Sequence, residues 1–175
     1  MQLTSALSLI REIPDFPIPG ILFKDITPLL ADAAALRVTA EALVGNSDSY
    51  THIAGIEARG FILASAMALK SHKGFIPLRK AGKLPHRTIS KTYGLEYGSD
   101  VLEAHVDAAS EGDRVLIVDD VLATGGTLIA AIEIMQELGA NIAEVVVLLE
   151  IEALGGRAKI VEKFPEITLR SIMVC

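Results

Sequence analysis

Four apolar residues in a row, Val115-Leu116-Ile117-Val118, run into two adjacent carboxylates, Asp119 and Asp120, and a helical pattern starts at Thr127. A strand that is apolar on both sides must be covered on both faces, and no other feature of the chain constrains the fold as tightly. The arrangement recurs. His52–Ile56 reads as a strand followed by a helix over 60–70, and residues 75–78 read as the next strand. A helix over 127–138 carries Leu128, Ile132 and Met135 on one face, Gly139 closes it, and 145–149 forms another buried strand. Short apolar strands joined by helices predict a three-layer α/β domain, a parallel sheet flanked by helices.

Two regions break the pattern. Residues 93–97 and 101–106 alternate, with Gly98-Ser99-Asp100 as turn residues between them, so they predict an antiparallel hairpin at the sheet edge. Ahead of the sheet, helical patterns at 4–12 and 33–45 flank Ile13-Pro14-Asp15-Phe16-Pro17-Ile18-Pro19-Gly20. Three prolines there predict a stiff, irregular segment.

A chain of 175 residues, 51% of them hydrophobic, suits a single globular domain over residues 1–175 and excludes disorder. No apolar run reaches the roughly 18 residues of a membrane span. Residues 1–11 lack the basic start and apolar run of a secretory signal. Cys175 is the only cysteine, which excludes a disulfide scaffold and predicts an unpaired thiol on the final strand or tail. These features point to a reducing cytoplasm.

Net charge is −6, from 22 acids against 16 bases, which argues against nucleic acid or an anionic membrane as partner. The charge is unevenly spread. No acid occurs between Glu57 and Glu96, a stretch that holds Arg59, Lys70, Lys73, Arg79, Lys80, Lys83, Arg87 and Lys91, half of the protein's basic residues. Such a run is either a solvated face or a site for a small, highly charged anion from which acids are excluded.

The segment after Val118 carries the most chemistry. Gly125 and Gly126 permit a tight loop with inward N–H groups, and the helix behind it adds partial positive charge, so Ala123 to Thr127 can cradle a monophosphate. Thr124 and Thr127 add hydroxyls, and Thr127 is also a candidate helix N-cap. Carboxylates repel phosphate, so Asp119 and Asp120 make sense there as acceptors for sugar hydroxyls. There is no G-x-G-x-x-G motif, and the Gly55 to Gly60 spacing is followed by Phe61-Ile62 where a P-loop needs Lys and Ser or Thr.

Val118-Asp119-Asp120 through Thr127 resembles the phosphoribosyl-diphosphate (PRPP) signature of the type I phosphoribosyltransferases. Four further motifs resemble the adenine-using branch of that family: the Pro14-to-Pro28 base-recognition segment, Gly55-Ile56-Glu57-Ala58-Arg59-Gly60-Phe61, Arg79-Lys80-Ala81-Gly82-Lys83-Leu84-Pro85, and Leu95-Glu96-Tyr97-Gly98. The resemblance implies the type I fold with its hairpin, a mobile loop over 83–93, and a small N-terminal base-recognition segment.

The resemblance also implies roles. Asp119 and Asp120 would hold the ribose, and Ala123, Thr124, Gly125, Gly126 and Thr127 the 5′-phosphate. Arg59, Arg79, Lys80 and Lys83 would serve the pyrophosphate. Leu22 and Lys24 would read adenine through the main chain, with Phe23 stacked on the ring and Ile151 closing the other side. Glu96 would handle a purine proton. The implied reaction moves the 5-phosphoribosyl group of PRPP to N9 of adenine, giving AMP and pyrophosphate. The diphosphate charge calls for Mg²⁺, held mainly by substrate and water with no protein cage. A homodimer is implied as well, with the 79–83 region near the partner subunit. Two rivals remain: the same reaction on another purine base, and a PRPP-sensing regulator on the same fold.

Overall fold

The computed structural model describes residues 1–94 and 99–175. They form two compact units, Met1–Gly45 and Asn46–Cys175.

The first unit contains α1 (Leu3–Leu7), β1 (Arg11–Pro14), β2 (Leu22–Asp25), α2 (Thr27–Ala31) and α3 (Ala33–Val44). The α3 helix follows the expected pattern, and Asp32 caps it by accepting from the N–H groups of Ala34 and Ala35. The helix expected over 4–12 stops at Leu7, because Arg11 and Glu12 belong to a strand paired antiparallel with β2. Ile13 and Pro14 are therefore regular structure, contrary to the expectation. Pro14 is tolerated because it ends a strand of a two-stranded sheet.

That proline also sets the hydrogen-bonding phase. Without an N–H it cannot join a doubly bonded pair, so with alternation those pairs are Ile13–Phe23 and Arg11–Asp25. The main-chain groups of Leu22 and Lys24 then turn away from β1. Asp25 ties the strand pair to α2: its carboxylate accepts from the Thr27 N–H at 2.9 Å, the Thr27 hydroxyl at 2.6 Å and Arg11 Nη2 at 2.6 Å. The Thr27 hydroxyl, followed by Arg11, holds the Asp25 pKa down from 3.8 to about 2. Stability from this carboxylate is complete above pH 3.8 and is lost as the pH falls toward 2.

The second unit is built on a seven-stranded sheet in the order β5-β6-β4-β3-β7-β8-β9. Its strands are β3 (His52–Ile56), β4 (Gly74–Lys80), β5 (Thr88–Gly94), β6 (Ser99–His105), β7 (Arg114–Leu122), β8 (Asn141–Glu150) and β9 (Leu169–Val174). All neighbours from β4 through β3, β7 and β8 to β9 are parallel, while β6 runs antiparallel to both β4 and β5. The sheet is thus mixed, parallel with an antiparallel hairpin at one edge. The helices are α4 (Arg59–Ser71), α5 (Gly126–Glu137) and α6 (Gly156–Lys163). Val115 and Ile117 pack with Leu128, Ala131, Ile132 and Met135 of α5. Leu116 and Val118 alternate to the opposite face, and α4 packs against β3 and β7.

Two expectations about the hairpin need correction. It begins at Thr88, where β-branched and aromatic residues pair along β6, so 88–93 is strand and the connection from β4 shortens to 81–87. Ser99 and Asp100, expected in the turn, already belong to β6.

The direction in which successive strands are added reverses at the centre of the sheet. From β3 the crossover leads outward to β4, and from β7 it leads the other way to β8. The carboxyl ends of β3 and β7 therefore flank a topological switch point, where a crevice opens.

Next to the loop that follows β7, an ion pair with a buried carboxylate fastens the last elements. Arg157 of α6 donates from Nε and Nη2 to Glu150 at 2.8 and 2.6 Å and also from Nη1 to the Leu169 carbonyl at 3.0 Å. Arg157 holds the Glu150 carboxyl below its ordinary range. Removing the cation leaves a carboxylate that is 3% exposed without its partner. Arg157→Met is expected to cost about 2–3 kcal/mol in urea denaturation at pH 7. The deficit narrows as the pH falls toward 4.5, because the carboxyl, its pKa raised by burial once Arg157 is gone, takes up a proton, and narrows further as the parent's own Glu150 protonates below 4.5.

Candidate active site

A cavity of about 560 Å³ opens at the switch point. The end of β3 and the start of α4 supply Ile56, Glu57, Ala58 and Arg59. The end of β7 and the loop after it supply Asp119, Asp120, Ala123, Thr124 and Gly125, and α5 supplies Thr127. Lys80, Tyr93, Asp100 and Leu154 complete the wall.

The loop before α5 is shaped by backbone contact. Gly125 has φ +86°, and a Cβ there would lie 2.9 Å from the Gly156 carbonyl oxygen. It also occupies the N-cap position, which corrects the assignment of that role to Thr127, the second residue of the helix. A glycine cap brings no side-chain acceptor, so the first N–H groups of a 12-residue helix are left for a ligand.

Asp119 and Asp120 are 9% and 3% exposed. Asp119 Oδ1 accepts the N–H of Asp120 at 2.8 Å. Burial, followed by the neighbouring charge of Asp120, pushes the Asp119 carboxyl well above its ordinary pKa. Burial also raises Asp120, while Arg59, whose Nε lies 3.0 Å from Asp120 Oδ2, opposes the rise. Two crowded, desolvated carboxylates gain most from neutral hydroxyl donors, as a sugar diol provides. Arg59 reaches them because Gly60 lets α4 start close to β7. A Cβ on Gly60 would lie 3.0 Å from the Val118 carbonyl oxygen and 3.1 Å from Asp119 Oδ1.

The expected basic residues divide. Arg59 and Lys80 line the cavity. Arg79 turns to Glu57, donating from Nε and Nη2 at 3.2 Å each, and to the Lys83 carbonyl at 3.1 Å. Lys83 sits exposed in the 81–87 connection. Gly126 faces the other way, since a Cβ there would lie 2.7 Å from the Gly94 carbonyl oxygen. Ile151 follows β8, with its N–H on the Leu122 carbonyl at 2.9 Å. Leu22, Phe23 and Lys24 lie on β2 in the first unit, where Phe23 meets Phe16 edge-on at 5.1 Å and Lys24 pairs with Glu12. Glu96 lies outside the described residues.

Glu57, Tyr93, Asp100 and Leu154 are among the wall residues that carry no expected role. Glu57 had a visible signal as the last acid before the acid-free stretch; Leu154 had none. Among the described residues, no group of three or more His, Cys, Asp or Glu forms a metal set.

A cavity that gathers an uncapped helix start, paired carboxylates and two cations is built for a phosphorylated sugar with a second anionic group. The chain belongs to the phosphoribosyl transferase domain family, whose model matches residues 24–170. Its relatives narrow the class. An adenine phosphoribosyltransferase of Streptomyces clavuligerus is 52% identical over 156 residues, 88% of each chain. One from Acidothermus cellulolyticus is 50% identical over 94% of this chain and 92% of its own. The crystal structure of adenine phosphoribosyltransferase from Thermoanaerobacter pseudethanolicus superposes with a TM-score of 0.92 at 44% identity, covering 99% of this chain and all of that one. The Giardia lamblia enzyme, solved with 9-deazaadenine, gives 0.93 at 41% identity over 100% of this chain and 98% of its own.

Proposed function

We propose that this protein transfers the 5-phosphoribosyl group of PRPP to N9 of adenine, releasing pyrophosphate and AMP for purine salvage. One observation carries the reading. The paired carboxylates Asp119 and Asp120 line one cavity together with the phosphate loop and with the cations Arg59 and Lys80. That set of groups matches the 2- and 3-hydroxyls, the 5′-phosphate and the pyrophosphate of PRPP.

In this reading the C1–pyrophosphate bond breaks ahead of bond formation to N9, and the ribose passes through an oxocarbenium-like state. Charge builds on the leaving oxygens, where Arg59 and Lys80 stabilise it as a preorganised electrostatic field. Asp119 and Asp120 hold the ring by its hydroxyls. Glu96 takes the adenine proton, by family resemblance alone. The 81–87 connection excludes water when closed. Mg²⁺ fits the donor set, since the wall offers carboxylate oxygens and no thiol or imidazole. The ion would be held mainly by substrate and water, with Asp119 and Asp120 meeting it through those oxygens, and would neutralise diphosphate charge. A cytoplasmic homodimer completes the reading. It is supported by the exposed apolar side chains Ile62 and Leu69 on α4 and Phe75 on β4, and by the lone cysteine.

Purified protein with PRPP, Mg²⁺ and each purine base in turn, followed by product chromatography, tests the reaction. AMP from adenine alone supports it. A product from hypoxanthine, guanine or xanthine alone favours the first rival, and PRPP binding without turnover on any base the second.

Base selectivity is assigned to the main chain of Leu22 and Lys24. The Lys24 side chain is occupied by Glu12, so Lys24→Ala is expected to leave the preference for adenine over hypoxanthine unchanged. Phe23→Ala is expected to weaken adenine binding by roughly 1–2 kcal/mol through loss of a stacking surface. Competition of both bases in the transfer assay checks each. An inverted preference in Lys24→Ala would assign the reading to its side chain.

A further inference from the structure

Lys80 ends β4 and Asp100 is the second residue of β6, and both line the cavity. Lys80 Nζ lies 2.9 Å from Asp100 Oδ2. The other carboxylate oxygen, Oδ1, accepts the Val101 N–H at 2.8 Å, which fixes the group's direction. Tyr93 is the cross-strand partner of Asp100 and also lines the wall. Asp100 follows closely on 38 consecutive residues, 58–95, that hold no acid.

We propose that Asp100 is a positioning residue for the leaving group: an internal anion that takes back Lys80 when pyrophosphate departs. The proposal rests on the PRPP reading of the cavity. For pyrophosphate to gain Lys80 in full, the ammonium must turn N–H donors away from Asp100, and that carboxylate then faces a polyanion of its own sign. Both effects weaken the grip on pyrophosphate, and both vanish without Asp100. The side chain of Asp100 is 24% exposed, so the exchange takes place in partly desolvated surroundings where charge is screened less than at an open surface. The 5′-phosphate loop binds by backbone N–H groups and has no share in the exchange, so AMP affinity is independent of it.

Calorimetric titration of pyrophosphate with Mg²⁺ present, on the whole protein, tests this. Asp100→Asn keeps the shape and removes the charge, and is expected to bind pyrophosphate about three- to tenfold more tightly. Asp100→Ser should shift in the same direction, and AMP affinity should stay constant in both. In a Lys80→Met background the tightening should shrink to the part due to repulsion alone. Equal or weaker pyrophosphate binding in Asp100→Asn, or a full tenfold gain that persists without Lys80, would overturn the proposal. Failure of the folded parent protein to bind pyrophosphate at all would instead overturn the transferase reading, and this inference with it.

Discussion

Gly125→Val is expected to lose PRPP binding by at least about a thousandfold while the sheet stays folded. Two separate penalties act at this residue. Its φ of +86° is a conformation that a β-branched side chain resists, at a cost of roughly 1–3 kcal/mol. The added Cβ would also lie 2.9 Å from the Gly156 carbonyl oxygen, a backbone atom with little room to retreat. The loop must move, and it moves the N–H groups that would hold the 5′-phosphate. Calorimetry with PRPP measures the loss, and circular dichroism monitors the fold. A folded variant with parental affinity would remove the phosphate from this loop.

Asp119→Asn is expected to do two opposite things: bind PRPP roughly 100-fold more weakly and melt at a higher temperature. Charged acceptors give hydrogen bonds of about 1.5–3 kcal/mol, and an amide gives less to a ribose hydroxyl. The free protein, however, carries a carboxylate whose pKa is raised by burial and by Asp120. A carboxyl with a raised folded pKa favours folding at low pH and loses that contribution as the pH climbs through the folded value. Asparagine escapes that cost and retains the Oδ1 that accepts the Asp120 N–H. The same sign makes PRPP affinity in the parent rise with pH, because hydroxyl donors prefer the ionised form. Thermal melts and titrations across pH 5–8 read all three effects. A variant that melts lower, with affinity unchanged, would mean that Asp119 serves the fold.

Legibility of the sequence followed the source of each element's stability. The bounds of β3 coincide with the expected strand, and α5 differs by one residue, because their burial is written into local apolar periodicity. The 4–12 segment misled because Arg11 and Glu12 find their partners, Asp25 and Lys24, across a strand pair 12 to 14 residues away. No periodicity encodes such a pairing. The α6 helix was silent for a related reason: it buries little apart from Gly156 and Ile160 and is held by the Arg157–Glu150 pair. At the site, Asp119 and Asp120 announced themselves by adjacency and by the loop behind them. Asp100 did not, since its meaning depends on β6 lying beside β4, a neighbourhood that only the folded sheet creates.

The backbone contact between Gly125 and Gly156 bears on how the protein is made. The phosphate loop is complete in sequence by residue 127, yet the surface it rests on arrives only with α6, some thirty residues later. A chain emerging from the ribosome therefore displays the two carboxylates and the glycine loop with its β5 neighbour in place but without the α6 backbone that Gly125 rests on. Full shape at the phosphate loop is acquired only after α6 has been made.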